Sequence, residues 1–129
     1  MTENPLKKIL IVDDEQSILL SLTHLLKTQE VEVIACNEIE LAEEALNNSH
    51  FDLVIADIRM SGVNGIEGLE LLSYVKEHFD TEVIIMTGFG SPEIEEEAYR
   101  RGACHYFRKP IEIKDLMSTV SSLGIPVRN

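Results

Sequence analysis

Five short apolar runs, each followed by a helix-length amphipathic stretch, constrain this chain more than any other feature. Ile9-Leu10-Ile11-Val12 is the first, and residues 15–29 follow it with Ile18, Leu22, Leu25 and Leu26 on one helical face. Val31 to Cys36 alternates in character and so is expected at a sheet edge. Asn37, with Glu40 three residues on, signals a helix start, and Ile39, Ala42 and Leu46 supply its apolar stripe. Leu53 to Ala56 is the third run, followed by a helix carrying Ile66, Leu69, Leu72 and Val75. Val83 to Met86 is the fourth; Ser91-Pro92 then suits an N-cap with proline at the first helical position, and Gly102 a C-terminal cap. Cys104 to Phe107 is the fifth, and a helix from Glu112 to Leu123 closes the series with Ile113, Leu116, Met117, Val120 and Leu123. Strands without polar alternation must be covered on both faces, which predicts a parallel sheet between helix layers. The expected fold is α/β: (βα)5, doubly wound and flavodoxin-like, with strand order 2-1-3-4-5. One domain over residues 1–129 is expected, its core spanning residues 7–123.

Composition supports a packed core and excludes several classes. The 129 residues are 44% hydrophobic, enough for a core without a disulfide or zinc staple. Cys36 and Cys104 show no CxxC spacing and are expected to be reduced core thiols, and His24, His50, His78 and His105 never pair at metal-ligand spacing. Residues 1–8 do not resemble a signal peptide, and a run such as Val83-Ile84-Ile85-Met86 is far too short for a bilayer. A soluble cytoplasmic protein without membrane contact is expected. The net charge of −12 repels phosphate and argues against direct nucleic-acid binding.

In an open parallel α/β sheet, ligands bind beyond the carboxyl ends of the strands, so the residues standing there matter most. Asp13, Asp14 and Glu15 follow the first run, Asp57 the third, Thr87 the fourth and Lys109-Pro110 the fifth. In the order 2-1-3-4-5 these strands are neighbours, which gathers three aspartates, a hydroxyl and an ammonium around one crevice. Singly each has an ordinary reading: a helix cap for Asp13-Asp14, a loop turn for Asp57, a solvated charge for Lys109. Together the carboxylates repel one another unless a cation neutralises them, and hard oxygen ligands suit Mg²⁺. Gly88, beside Thr87, suits a close approach of backbone to a bound group.

Those residues resemble the active site of the response-regulator receiver domain. The matching stretches are Ile9-Leu-Ile-Val-Asp-Asp-Glu15, Leu53-Val-Ile-Ala-Asp-Ile-Arg-Met60, Ile84-Ile-Met-Thr-Gly88, Arg101-Gly-Ala103 and Tyr106-Phe-Arg-Lys-Pro110. The resemblance implies that Asp57 accepts a phosphoryl group from the phosphohistidine of a partner kinase or phosphotransfer protein. It implies Mg²⁺ held by Asp14, Asp57 and the backbone carbonyl of Arg59, with Asp13 acting mostly through water. Lys109 would pair with Asp57 before phosphorylation and with the phosphoryl group afterwards, on a Lys109-Pro110 bond expected to be cis. Thr87 and Tyr106 would form the switch, Tyr106 turning from exposed to buried. Ser61 stands where the family often has proline, and Phe89 and Arg59 flank the path of hydrolytic water and so should alter phosphoryl lifetime.

Two rivals share the fold class. A Mg²⁺-dependent phosphohydrolase of the haloacid-dehalogenase type wants Asp-x-Asp after the first strand, where this chain has adjacent Asp13-Asp14, and leaves no room here for a cap domain. A flavin binder wants a hydroxyl- and amide-rich phosphate loop where this chain has Asp-Asp-Glu. The charge is also unevenly spread: residues 1–97 hold 21 acids and 5 bases, whereas residues 98–129 hold 6 bases and 2 acids. The basic portion falls on the face formed by the fourth helix, fifth strand and fifth helix, a candidate homodimer surface by the resemblance.

Overall fold

The computed structural model describes residues 6–60 and 65–128. Ser61 lies outside the described residues. The elements alternate throughout: β1 (Lys7–Val12), α1 (Gln16–Leu26), β2 (Val31–Cys36), α2 (Ile39–Asn48), β3 (Leu53–Ala56), α3 (Glu67–His78), β4 (Glu82–Thr87), α4 (Pro92–Arg100), β5 (His105–Arg108) and α5 (Ile113–Ser122). The strands form one parallel sheet in the order β2-β1-β3-β4-β5, with β2 at an edge as its alternating pattern predicts.

The period of two along each strand divides the core into two layers. Leu10, Val12, Val54, Ala56, Val83 and Ile85 pack with Leu46, Leu69, Leu72 and Ala98, from the helices α2, α3 and α4. Ile9, Ile11, Leu53, Ile55, Ile84 and Met86 face Leu19, Leu22 and Leu26 of α1 and Leu116 and Val120 of α5. All twelve strand residues are buried, each contributing about 1.5–3 kcal/mol where a large side chain is fully covered. This double burial is why the strands read as unbroken apolar runs.

Register then sets the functional residues side by side. Val12 pairs with Ala56 and Ala56 with Ile85, so the residues after β1 and β3 emerge at one level. The ladder continues one residue beyond the strands: Asp13 N–H donates to Cys36 O (3.1 Å), Asp57 N–H to Val12 O (3.0 Å) and Lys109 N–H to Thr87 O (2.9 Å). Asp13, Asp57 and Lys109 therefore stand on sheet hydrogen bonds, not on loose loops.

Two local expectations change. Asn37 does not cap α2; Glu38 is the N-cap residue, extended and without a side-chain cap bond. At α1 the N-cap residue is Glu15, also without a side-chain cap bond. Cys36 is a buried thiol as expected, but Cys104 is exposed, because it precedes β5 where the chain leaves the turn after α4. Ser91 does cap α4, its hydroxyl accepting from Ile94 N–H at 3.2 Å with Pro92 at the first turn, and Gly102 (φ +111°) ends that helix. Among the described residues, no helix is long and apolar enough to cross a membrane.

Candidate functional site

The carboxyl ends of β1, β3, β4 and β5 open into a cleft of about 400 Å³ lined by Asp14, Glu15, Asp57, Arg59, Gly88, Phe89 and Lys109. Asp13 and Asp57 are buried at its floor and Asp14 is exposed at its rim. Each of the three offers a carboxylate oxygen within 4.8 Å of the others, close enough to share one cation. Asp13 Oδ1 also accepts the Glu15 N–H at 2.8 Å, and Asp57 Oδ1 the Arg59 N–H at 3.4 Å.

One ammonium holds this cluster together. Lys109 Nζ donates to Asp13 Oδ2 (2.8 Å), Glu15 Oε1 (2.8 Å) and Asp57 Oδ2 (3.0 Å). Burial alone would lower the lysine pKa, but its hydrogen bonds to Asp13, Glu15 and Asp57 outweigh that and hold it above the usual range. The pKa of Asp13 is raised as well, which for an acid disfavours the charged form: burial raises it, Lys109 and the Glu15 amide offset this in part, and the charge of Asp57 adds to the rise. Four carboxylates facing one lysine leave an excess of negative charge in a partly desolvated cleft. That donor set, all hard oxygen, fits a small divalent cation.

The remaining expected residues are also placed here. The Lys109-Pro110 bond is cis. Thr87 Oγ1 accepts the Phe89 N–H at 3.0 Å, so its hydroxyl oxygen is occupied within its own loop. The Arg59 guanidinium lies over the Phe89 ring, 4.4 Å from its centroid, which joins two residues predicted only to flank the same path.

Tyr106 differs from expectation. Its ring is already packed in the α3–α4 core layer, only 6% exposed, while Lys109 is still bonded to Asp57. Its hydroxyl is buried and has no hydrogen-bond partner among the described residues, and burial raises its pKa. The physical reason is Gly90: a Cβ there would stand 2.2 Å from the tyrosine oxygen, so glycine makes the space.

Gly88, expected to let backbone approach a bound group, has only the Lys109 stem near it within the protein, 4.0 Å from where a Cβ would stand. The tight position is Gly68, where a Cβ would lie 1.9 Å from the Asp57 carbonyl oxygen. Gly68 N–H also donates to Ile58 O at 2.8 Å, pressing the start of α3 against the backbone that carries Asp57. The sequence signal was a glycine inside an otherwise helical pattern. Glu15 was the other omission from the set of site residues; nothing local marks a side chain that reaches Lys109 from 94 residues away.

Comparisons with known proteins agree with this geometry. The two-component response regulator ARR10 of Arabidopsis thaliana is 34% identical over 111 residues, 84% of this chain and 20% of that protein. Curated relatives are longer, this chain spanning 16% to 50% of their lengths in the examples from ARR2 of Arabidopsis thaliana to the heme response regulator HssR of Staphylococcus saprophyticus. A CheY-like receiver domain from Methanospirillum hungatei superposes with a TM-score of 0.83 at 31% identity, covering 92% of this chain and 94% of that one. The beryllofluoride-activated NtrC4 receiver domain dimer gives 0.82 at 28% identity, covering 92% and 96%. Residues 9–121 match the model of the response regulator receiver domain. With the carboxylate–lysine cleft at the switch point of a 2-1-3-4-5 sheet, this chain belongs to the response regulator receiver domain family of two-component systems.

Proposed function

We propose that Asp57 accepts a phosphoryl group from the phosphohistidine of a histidine kinase or phosphotransfer protein. The observation that carries this is a buried carboxylate at the floor of an open cleft, 3.0 Å from a lysine ammonium and grouped with two further aspartates. An Asp57 oxygen attacks phosphorus; the P–O bond forms as the P–N bond to histidine breaks, and the departing imidazole takes a proton from solvent. The chain thereby modifies itself and is not read as an enzyme acting on a separate substrate. Mg²⁺ is a general feature of the family, and Asp14, Asp57 and the Arg59 carbonyl would hold it, with Asp13 acting through water. When bound, it supplies the positive charge that lets a carboxylate and a phosphoryl group approach. Lys109 then donates to a phosphoryl oxygen as it now donates to Asp57.

The same reading assigns the switch. Thr87 leaves the Phe89 amide and turns its hydroxyl toward the new dianion, shifting the loop between β4 and α4. Because Tyr106 already lies inward, the loop and not the ring supplies most of the movement. A coupling of about 1–3 kcal/mol between cleft and outer face is enough for signalling. The outer face is α4, β5 and α5, where Tyr99 and Ile113 are exposed and Arg100 pairs with Glu96 and Glu97. Its mixture of apolar and charged groups suits a homodimer, the state of the activated NtrC4 receiver.

Incubation with acetyl phosphate and Mg²⁺, followed by intact-mass measurement, tests the proposal. The expected result is a gain of one phosphoryl group that Asp57→Asn abolishes; a gain surviving that substitution overturns the assignment. Decay of the same mass species in Phe89→Ala and Arg59→Asn shows whether the stacked pair controls water access. A changed rate in either supports that role, and unchanged rates in both end it.

A further inference from the structure

Helix α4 is fastened to the fold mainly at one end. At its C-terminal end the Arg101 guanidinium bridges two helices. Its Nε donates to Glu97 Oε2 of α4 at 2.7 Å, and its Nη1 donates to Leu69 O (3.1 Å) and Ser73 Oγ (3.3 Å) of α3. The rigid planar fork holds partners on both helices at once. The turn behind it is closed as well: Gly102 N–H donates to Tyr99 O and Ala103 N–H to Ala98 O, both at 3.0 Å. Cys104 N–H then donates to Val83 O at 2.9 Å, tying the chain to β4. The N-terminal end has nothing equivalent. Ser91 Oγ caps the helix from within by accepting the Ile94 N–H, and among the described residues no hydrogen bond joins Ser91 to Glu95 to another element. Pro92 and Glu93 are exposed and Ile94 packs against the core only in part. Among the described residues of α4, Ala98 alone is buried, close to the fastened end, whereas α3 buries five residues. The loose end is entered through Gly88-Phe89-Gly90, the loop that Thr87 now holds.

We propose that Arg101 is the pivot of α4, so that a displacement of the loop after β4 tilts the helix about its C-terminal end instead of carrying it bodily across the core. This rests on the reading of Asp57 as phosphoacceptor, which supplies the displacement. A short helix moves as one body, so a push at one end against bonds at the other leaves rotation as the easiest movement. The exposed acids Glu93 and Glu96 then shift against the rest of the outer face, while Arg100 keeps its place beside the pivot. Arg101 is a positioning residue: it acts through α4, and its bonds run to α3 and α4 and not into the cleft.

The test measures the two ends of α4 separately. Nitroxide labels are attached in a Cys104→Ser background, the remaining Cys36 being buried. Glu77→Cys on α3 is paired with Glu93→Cys at one end of α4 or with Arg100→Cys at the other, all three positions being exposed. Distances are read by double electron–electron resonance with and without Mg²⁺ and beryllofluoride, a non-covalent phosphoryl analogue whose binding is followed through the Thr87 and Gly88 amide NMR signals. With Arg101 present, the Glu93 distance is expected to shift by about 2 Å and the Arg100 distance by less than half as much. With Arg101→Met, which removes every donor, both distances are expected to shift alike. Equal shifts with Arg101 present overturn the proposal, as does a difference between the ends that survives Arg101→Met. Beryllofluoride binding that moves neither distance overturns it too. Failure of beryllofluoride to bind at all would instead defeat the Asp57 reading, and this inference with it.

Discussion

The two ends of the sheet both set aspartate beside lysine, with opposite balances of charge. At the amino end Asp52 accepts the Lys8 N–H at 2.9 Å, lies 3.6 Å from His50 Nε2 and 4.0 Å from Lys7 Nζ. Its own amide donates to Lys8 O at 2.9 Å, and Thr81 Oγ1 donates to Phe51 O at 2.8 Å, so the backbone there is closed by reciprocal bonds. One acid faces several donors, and nothing is left over. At the carboxyl end Asp13, Glu15 and Asp57 share one lysine, and Asp14 stands beside Asp13 and Asp57 as a further carboxylate. Clustered anions in a desolvated cleft cost stability until a cation joins them. The amino end is built to stay as it is, whereas the carboxyl end, on the proposed reading, would be completed by a cation.

The comparison can be broken most severely through Gly68. Gly68→Ala drives a methyl into the Asp57 carbonyl, and backbone cannot step aside as a side chain can. A loss of about 3 kcal/mol is expected, read as a lowered urea midpoint, or the variant fails to fold. No residue at the amino end carries a comparable constraint among the described glycines. A milder contrast pairs Asp57→Asn with Asp52→Asn. The first removes a charge from a crowded cluster while Lys109 keeps Asp13 and Glu15; urea unfolding should show stability unchanged or raised by up to about 1 kcal/mol. The second loses two weak, solvent-screened partners and should cost about 0.5 kcal/mol while leaving phosphorylation intact. Asp57→Asn clearly destabilising the chain would mean that the carboxyl end is as settled as the amino end.

Much of this was legible in the residues themselves. Strands buried on both faces must be apolar without interruption, so β1, β3 and β4 announced themselves, and the residues following them identified the cleft. Caps were harder. Ser91 caps α4 as its chemistry suggests, but Asn37 yields to Glu38 because helix entry at α2 is set by packing of Ile39 against the core and not by a side-chain bond. Of the contacts across the fold, the Lys109–Asp57 pair was expected from the resemblance, but others were not legible. Glu15 on Lys109, Gly68 on Asp57 and Gly90 under Tyr106 depend on distances between elements, which no local pattern encodes. Tyr106 illustrates the cost: its place on β5 was clear, but its inward position follows from one missing methyl at Gly90.

The claim that the carboxyl end is completed by a cation is tested most directly by thermal unfolding with and without Mg²⁺ in wild type, Asp52→Asn and Asp57→Asn. At a hundred times its Kd, a cation that binds only the folded state adds about 2.7 kcal/mol. Wild type and Asp52→Asn should therefore rise together by several degrees in Tm, and Asp57→Asn should lose most of that rise. A wild-type Tm indifferent to Mg²⁺, or an equal rise in Asp57→Asn, would contradict the account.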